Sequence, residues 1–240
     1  MAKRKPRTKV KKTSAPRLFV RRVVGYGLLG VIGLACVTGL IMVLGRYVAP
    51  WTTPYMYSES RTLGGIDYDW VPLTDIAPVM ARSVVAAEDA NFCNHWGFDM
   101  VAIRKAIEDG GNRGASTISQ QTVKNLYLWH GRNYTRKALE ALMTPALEAI
   151  WPKERIIEVY LNIAEFDTGV FGVKAAADHY FNTTPADLTA VQAARLAAIL
   201  PNPKARSAAK PSAFVRRRAQ SIVDGAALIR KDGRAACFDS

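Results

Sequence analysis

Acidic residues are missing from the first twenty-two positions, charge of either sign is missing from the next twenty-two, and cysteine occurs three times in 240 residues. Each scarcity excludes something. Cys36, Cys93 and Cys237 stand at spacings that match no zinc pattern. Cys36 falls inside the uncharged run, so Cys93 and Cys237 remain, and they are read as free thiols with a disulfide between them as the alternative. Alternating strand patterns are scarce and no internal repeat is visible. The fold class is therefore mainly α.

The acid-free stretch Met1–Arg22 holds ten Lys and Arg, so ten of the thirteen net positive charges lie there and the rest of the chain is only mildly basic. Such a tail suits nucleic acid as well as a membrane surface, and the next segment decides between them. Val23 to Leu44 is rich in Leu, Val, Gly and Ile and carries no charge. As a helix it would span about 33 Å, enough for a hydrocarbon layer of about 30 Å. A cleaved signal peptide or a buried core helix would also be apolar. However, no small-x-small cleavage site stands after Leu44, and a core helix of this length seldom lacks a polar face. Arg46, Tyr47 and Trp51 supply the charge and rings of a membrane interface. By the positive-inside rule the tail stays in the cytoplasm and the remainder lies outside. The expected organisation is a basic cytoplasmic tail (1–22), a transmembrane helix (23–44), a linker (45–70) and an extracytoplasmic domain (71–240).

Within the outer part, Pro50 to Trp70 shows no helical period and reads as an extended linker. Thr74 is expected to cap a helix carrying Ile76, Val79, Met80, Val84 and Ala87, ending near Glu88-Asp89. Thr135 is expected to cap another that reaches Ile150, with Pro145 bending it rather than stopping it. Pro152 opens the next, Thr189 with Gln192 forms a capping box, and a basic helix runs from Ser212 to Arg230.

Three blocks carry candidate chemistry. Glu88-Asp89, with Phe92, His95, Gly97 and Phe98 after them, places two acids at a helix C-terminus, where negative charge is disfavoured by a few tenths of a kcal/mol to about 1. Gly114-Ala-Ser116-Thr117-Ile-Ser-Gln120-Gln121, with Lys124-Asn125 beyond, opens a helix with backbone N–H groups and hydroxyls that suit an anion. Arg132, Arg136, Lys137 and Glu140 come next, the last three sharing one helix face, with Glu148 further on. Taken singly, these are also what a solvated loop, a plain N-cap and surface ion pairs look like.

Together and in this order, with Lys153-Glu-Arg-Ile-Ile-Glu158-Val-Tyr160-Leu161-Asn162 after them, they closely resemble the peptidoglycan glycosyltransferases of glycosyltransferase family 51. The likeness is strongest to the monofunctional biosynthetic transglycosylases of Gram-negative bacteria and covers about Leu63 to Pro203. It implies a lysozyme-like helical domain in the bacterial inner membrane, facing the periplasm and acting on lipid II and growing lipid-linked glycan. Glu88 matches the catalytic base and Glu140 the second essential glutamate. Lys124, Arg132 and Lys137 match cations around the donor pyrophosphate, Ser116 and Gln121 match polar contacts to it, and Arg136 adds a further cation. Family members invert the anomeric centre and leave a β-1,4 linkage. No cofactor or nucleic acid is required on this reading; a divalent metal stays an option, and cell-division or cell-wall synthesis proteins are candidate partners. The apolar stretch Phe98 to Ile107, interrupted by Arg104 and Lys105, resembles the family's membrane-touching jaw.

The nearest rival is a lysozyme-like or lytic enzyme that cleaves peptidoglycan with a glutamate, against which the cation set argues because such substrates lack pyrophosphate. A non-enzymatic membrane anchor for cell-wall machinery is the second. Ser207-Ala-Ala-Lys210 matches the Ser-x-x-Lys nucleophile of penicillin-binding proteins but is rejected, since no Lys-Thr-Gly comes after it and thirty residues are too few for a transpeptidase domain.

Overall fold

The computed structural model describes residues 15–110, 114–131 and 133–239, with side chains from Phe19 onward. The chain divides into two compact units between Met42 and Val43. The first consists, among the described residues, of helix α1 (Ala15–Gly45) up to Met42. Phe19–Gly45 is long and apolar enough to cross a membrane, with a mean hydropathy of 2.5 over an 18-residue window. Its side chains Leu28, Leu34 and Leu40 stand exposed, as they would against lipid tails.

The second unit starts with the last turn of α1, which is fastened rather than slack. The Gly45 carbonyl accepts from Arg155 Nε and Nη2 at 3.1 and 2.9 Å, and Nη2 also reaches the Val48 carbonyl at 2.7 Å. The guanidinium lies over Trp70 and Trp151, and Arg46 Nη1 donates to the Ile150 carbonyl at 2.6 Å. The extended linker expected at Pro50–Trp70 is also not what forms. Thr53 caps helix α2 (Pro54–Leu63), its Oγ1 accepting from Met56 N at 3.1 Å, and strand β1 (Asp67–Tyr68) comes after it. The Thr-Pro pair is an N-cap with its first helical residue, not a turn. Helix α2 escapes a periodicity search because it buries a single side chain, Met56. Strand β1 pairs in parallel with β3 (Val170–Phe171), which pairs antiparallel with β2 (Glu165–Asp167).

The rest is helical. Helix α3 (Pro78–Glu88) begins at Pro78 and not at Thr74, because residues 73–75 form a 3-10 turn and Pro78 sets the first helical position. Met80, Ala81, Val84 and Val85 are buried on a helix that packs against α9 (Ala190–Ile199) and α10 (Ala213–Lys231). Small side chains on α9 (Ala193, Ala194, Ala197 and Ala198) let these helices approach closely. The capping box of Thr189 and Gln192 forms, and Ser212 caps α10. Helix α4 (Met100–Glu108) precedes α5 (Ile118–Tyr127), which packs on α6 (Tyr134–Ile150) and α7 (Lys153–Ile163); α8 (Gly172–Phe181) packs on α7 and the sheet. Helix α6 is capped by Asn133, whose Oδ1 accepts from Thr135 N at 2.8 Å, and it continues through Pro145 to Ile150.

The reading of Cys93 and Cys237 as free thiols is overturned: they form a disulfide. Their separation of 144 residues hides this from the sequence. What joins them is α10 packing on α3, which carries the C-terminal segment onto the loop after Glu88. There Phe238 meets Phe92, Arg234 donates to the Ala90 carbonyl at 3.1 Å and Arg82 pairs with Asp239 at 2.5 Å.

Candidate active site

Helix α3 ends at Glu88, and Asp89 explains why two acids stand at that terminus. The Asp89 carboxylate is buried; Oδ2 accepts from the backbone N–H of Ile118 at 3.0 Å and Oδ1 meets His95 Nε2 at 2.8 Å. It therefore sits at the N-terminus of α5, where negative charge is favourable. The same observation corrects the reading of the α5 N-terminus as an open anion cradle. Thr117 N donates to Gln120 Oε1, Gln120 N to Thr117 Oγ1, and Ile118 N to Asp89, so three of the N–H groups at this end are already taken within the protein. Thr117 Oγ1 further donates to the Gly97 carbonyl at 2.7 Å. Gly97 has φ 86°, and a Cβ there would stand 2.7 Å from Thr144 Cγ2, so only glycine lets the loop lie this close to α6.

Glu88 itself is only 14% exposed. Gln121 Nε2 donates to its Oε2 at 3.2 Å, and Tyr160 OH donates to Gln121 Oε1 at 3.1 Å, so the amide is oriented from α7. Burial pushes the Glu88 carboxyl above the usual carboxylate range, opposed by the Gln121 hydrogen bond and by Arg218, Lys124 and Arg206. A carboxylate in this state is a stronger base than one in water.

Glu140 lies buried on α6, with Arg136 Nη1 at 2.7 Å and Lys137 Nζ as its second partner; Lys137 Nζ also donates to Ser116 Oγ at 3.2 Å. Lys124, on α5, feels both glutamates. Burial is the largest influence and lowers its pKa, Arg136 and Lys137 push it further down, and Glu140 and Glu88 pull it up. Glu148 is held by Ser119 and by Lys153 at 2.7 Å, which locks α6 to α5 and α7. A cleft of about 410 Å³ opens beside Glu88, lined by Ala87, Asn91, Asp99, Ala102, Lys105 and Ser116 among others. Helix α4, which contributes to that lining, leaves Met100, Val101 and Ile107 exposed next to Arg104 and Lys105.

Glu88 and Gln121 thus meet directly, and Ser116, Arg136, Lys137 and Glu140 form one connected cluster joined to Glu88 through the field of Lys124. Arg132 lies outside the described residues. Among the described residues no three His, Cys, Asp or Glu side chains converge as a metal site requires. Sequence reasoning missed Arg218, which approaches Glu88 Oε1 to 3.6 Å. A signal for it exists: Val215, Arg218, Ala219 and Ile222 recur at core spacing on α10, but the neighbouring Arg216 and Arg217 make the run look like a solvated face.

A buried carboxylate facing a cleft and a group of cations suits proton removal coupled to departure of an anion. The family described as transglycosylase matches residues 59–227. A biosynthetic peptidoglycan transglycosylase of Jannaschia sp. (strain CCS1) is 59% identical over 239 residues, which cover 99% of both chains. Proteins of the same name from Caulobacter vibrioides and Rhodospirillum centenum are 44% and 47% identical, covering 91% and 86% of this chain and 98% and 91% of theirs.

Proposed function

The chain belongs to the transglycosylase family, and from that premise we propose that it is a peptidoglycan glycosyltransferase that polymerises lipid II into β-1,4 glycan strands. The acceptor sugar's 4-hydroxyl attacks the anomeric carbon of the donor. The new C–O bond forms as the bond from that carbon to the lipid pyrophosphate breaks, and attack opposite the leaving group inverts the centre. Glu88 takes the hydroxyl proton. The undecaprenyl pyrophosphate leaves with the bonding pair and is met by Lys124, Arg132, Arg136 and Lys137. Glu140 keeps Arg136 and Lys137 in place, and Ser116 and Gln121 complete the polar lining. The exposed apolar side chains of α4 rest against the bilayer that delivers the substrate.

The observation that carries this reading is the pairing of a desolvated Glu88, oriented by Gln121, with the partly buried cation Lys124, which has no carboxylate within ion-pair distance among the described residues. Such a cation is poised for a ligand's negative charge. A lytic enzyme has no need of it. The basic tail supports a cytoplasmic N-terminus and a domain on the periplasmic side of the inner membrane, and the disulfide supports that side because such bonds persist in oxidising compartments. Glu88→Gln tests the assignment with purified lipid II: the amide keeps the shape and cannot take the proton, so polymer formation should fall at least about 100-fold while binding persists. Polymerisation near the parent rate would end the reading, and fragment release from finished glycan would favour the lytic alternative.

A further inference from the structure

Along α10 the buried positions Val215, Ala219 and Ile222 share their face with Arg218. The Arg218 side chain is 33% exposed, so its stem lies along the core-facing stripe while its head reaches the edge of the core. Arg218 Nη2 donates to the Ala87 carbonyl at 3.3 Å and stands 3.6 Å from Glu88 Oε1. That oxygen is buried and accepts no hydrogen bond among the described residues, whereas Oε2 is held by Gln121. One side chain therefore grips the last turn of α3 and the carboxylate that leaves it. The segment after α10 is fastened to the same loop, through Arg234 on the Ala90 carbonyl and the Cys93–Cys237 disulfide.

We propose that Arg218 is a positioning residue for the transfer reaction, bracketing the Glu88 carboxylate opposite Gln121, fixing the orientation of Oε1 and supplying its nearest counter-charge. The proposal rests on the reading of Glu88 as the base. It gives α10 a part in the chemistry, outside all of the motif blocks that point to the site. The other charged and titratable groups about Glu88 include Lys124 of α5, Tyr160 of α7 and Arg206 of the turn after α9, with Asp89, Asp99 and Lys105 lining the same cleft; all remain in every variant considered.

The test uses the whole chain in detergent with lipid II. Arg218→Gln should lower kcat about 10–100-fold, the scale of a misplaced reacting group, with KM changed less than about twofold. The acid limb of the kcat/KM profile should move to higher pH, because Glu88 has lost a cation that favours its charged form. Arg218→Lys keeps a charge but not the fork, so the limb should return toward the parent position while part of the rate loss remains. In an inactive Glu88→Gln background, Arg218→Gln should add nothing, since the two act as a unit. If Glu88→Gln is inactive while both Arg218 variants keep the parent kcat and pH profile, the positioning role is wrong and the base assignment stands. If Glu88→Gln is active, the base assignment has failed and the positioning role falls with it. A raised KM at constant kcat would make Arg218 a substrate contact and overturn the proposal. Melting temperature is measured throughout; should Arg218→Gln fold poorly, Arg218→Lys decides by the same kcat and pH criteria.

Discussion

Replacing Glu140 by Gln should cost stability as well as activity. The Glu140 side chain is 2% exposed and serves two cations, Arg136 at 11% exposure and Lys137 at 46%. The lysine is open to solvent, so its share is discounted to under about 1 kcal/mol. The arginine pair is largely buried, and breaking a fully buried pair by removing one partner costs about 3–5 kcal/mol. A glutamine oxygen still accepts one hydrogen bond, which keeps the loss near the lower end, about 3 kcal/mol. For a domain of this size 1 kcal/mol moves Tm by about 2–4 °C, so a fall of about 6–12 °C is expected. Differential scanning fluorimetry on detergent-solubilised protein reads this directly. Glu88→Gln should behave differently: burial opposes the charged form there, so the amide should leave Tm unchanged or raise it. A Glu140→Gln protein melting within about 2 °C of the parent would refute the account of that carboxylate as the buried partner of Arg136.

Lys124→Ala should lower lipid II turnover about 10–100-fold, the worth of a charge-assisted contact of about 1.5–3 kcal/mol, with little change in Tm. Arg216→Ala, an exposed neighbour on α10, serves as control, and equal behaviour of the two would show that the pyrophosphate is held elsewhere. Cys93→Ser combined with Cys237→Ser should lower stability by about 2–4 kcal/mol in chemical denaturation; an unchanged midpoint would mean that packing alone holds the C-terminal segment. Protease added to intact spheroplasts should digest the domain and spare Met1–Arg22; cleavage confined to the tail would reverse the orientation.

Much of the candidate site's arrangement is legible in the sequence because its motifs are local. Glu88-Asp89, the run from Ser116 to Lys124 and the run from Arg136 to Glu140 each lie on one helix end or one helix face, and the capping box at Thr189 forms as its spacing requires. What stays hidden depends on contacts between distant segments. Helix α2 buries one residue and so carries no period. The disulfide and the role of Arg218 depend on how α10 packs on α3, which no local pattern encodes. The α5 N-terminus looks available in the sequence because the carboxylate that fills it lies 29 positions earlier in the chain.

That carboxylate also sets how this site can be inherited. Asp89 holds the Ile118 amide, and Gln121, one turn further along the same helix, reaches back to Glu88, so the loop and the helix complete each other in both directions. Neither is a module. A chimaera that took the glutamate loop from a distant relative and kept this helix would inherit a carboxylate cut to another protein's amide, and the mismatch would surface at the neighbouring glutamate. Exchange between relatives should succeed when the two segments travel together, even though α4 and its flanking loops lie between them in the chain.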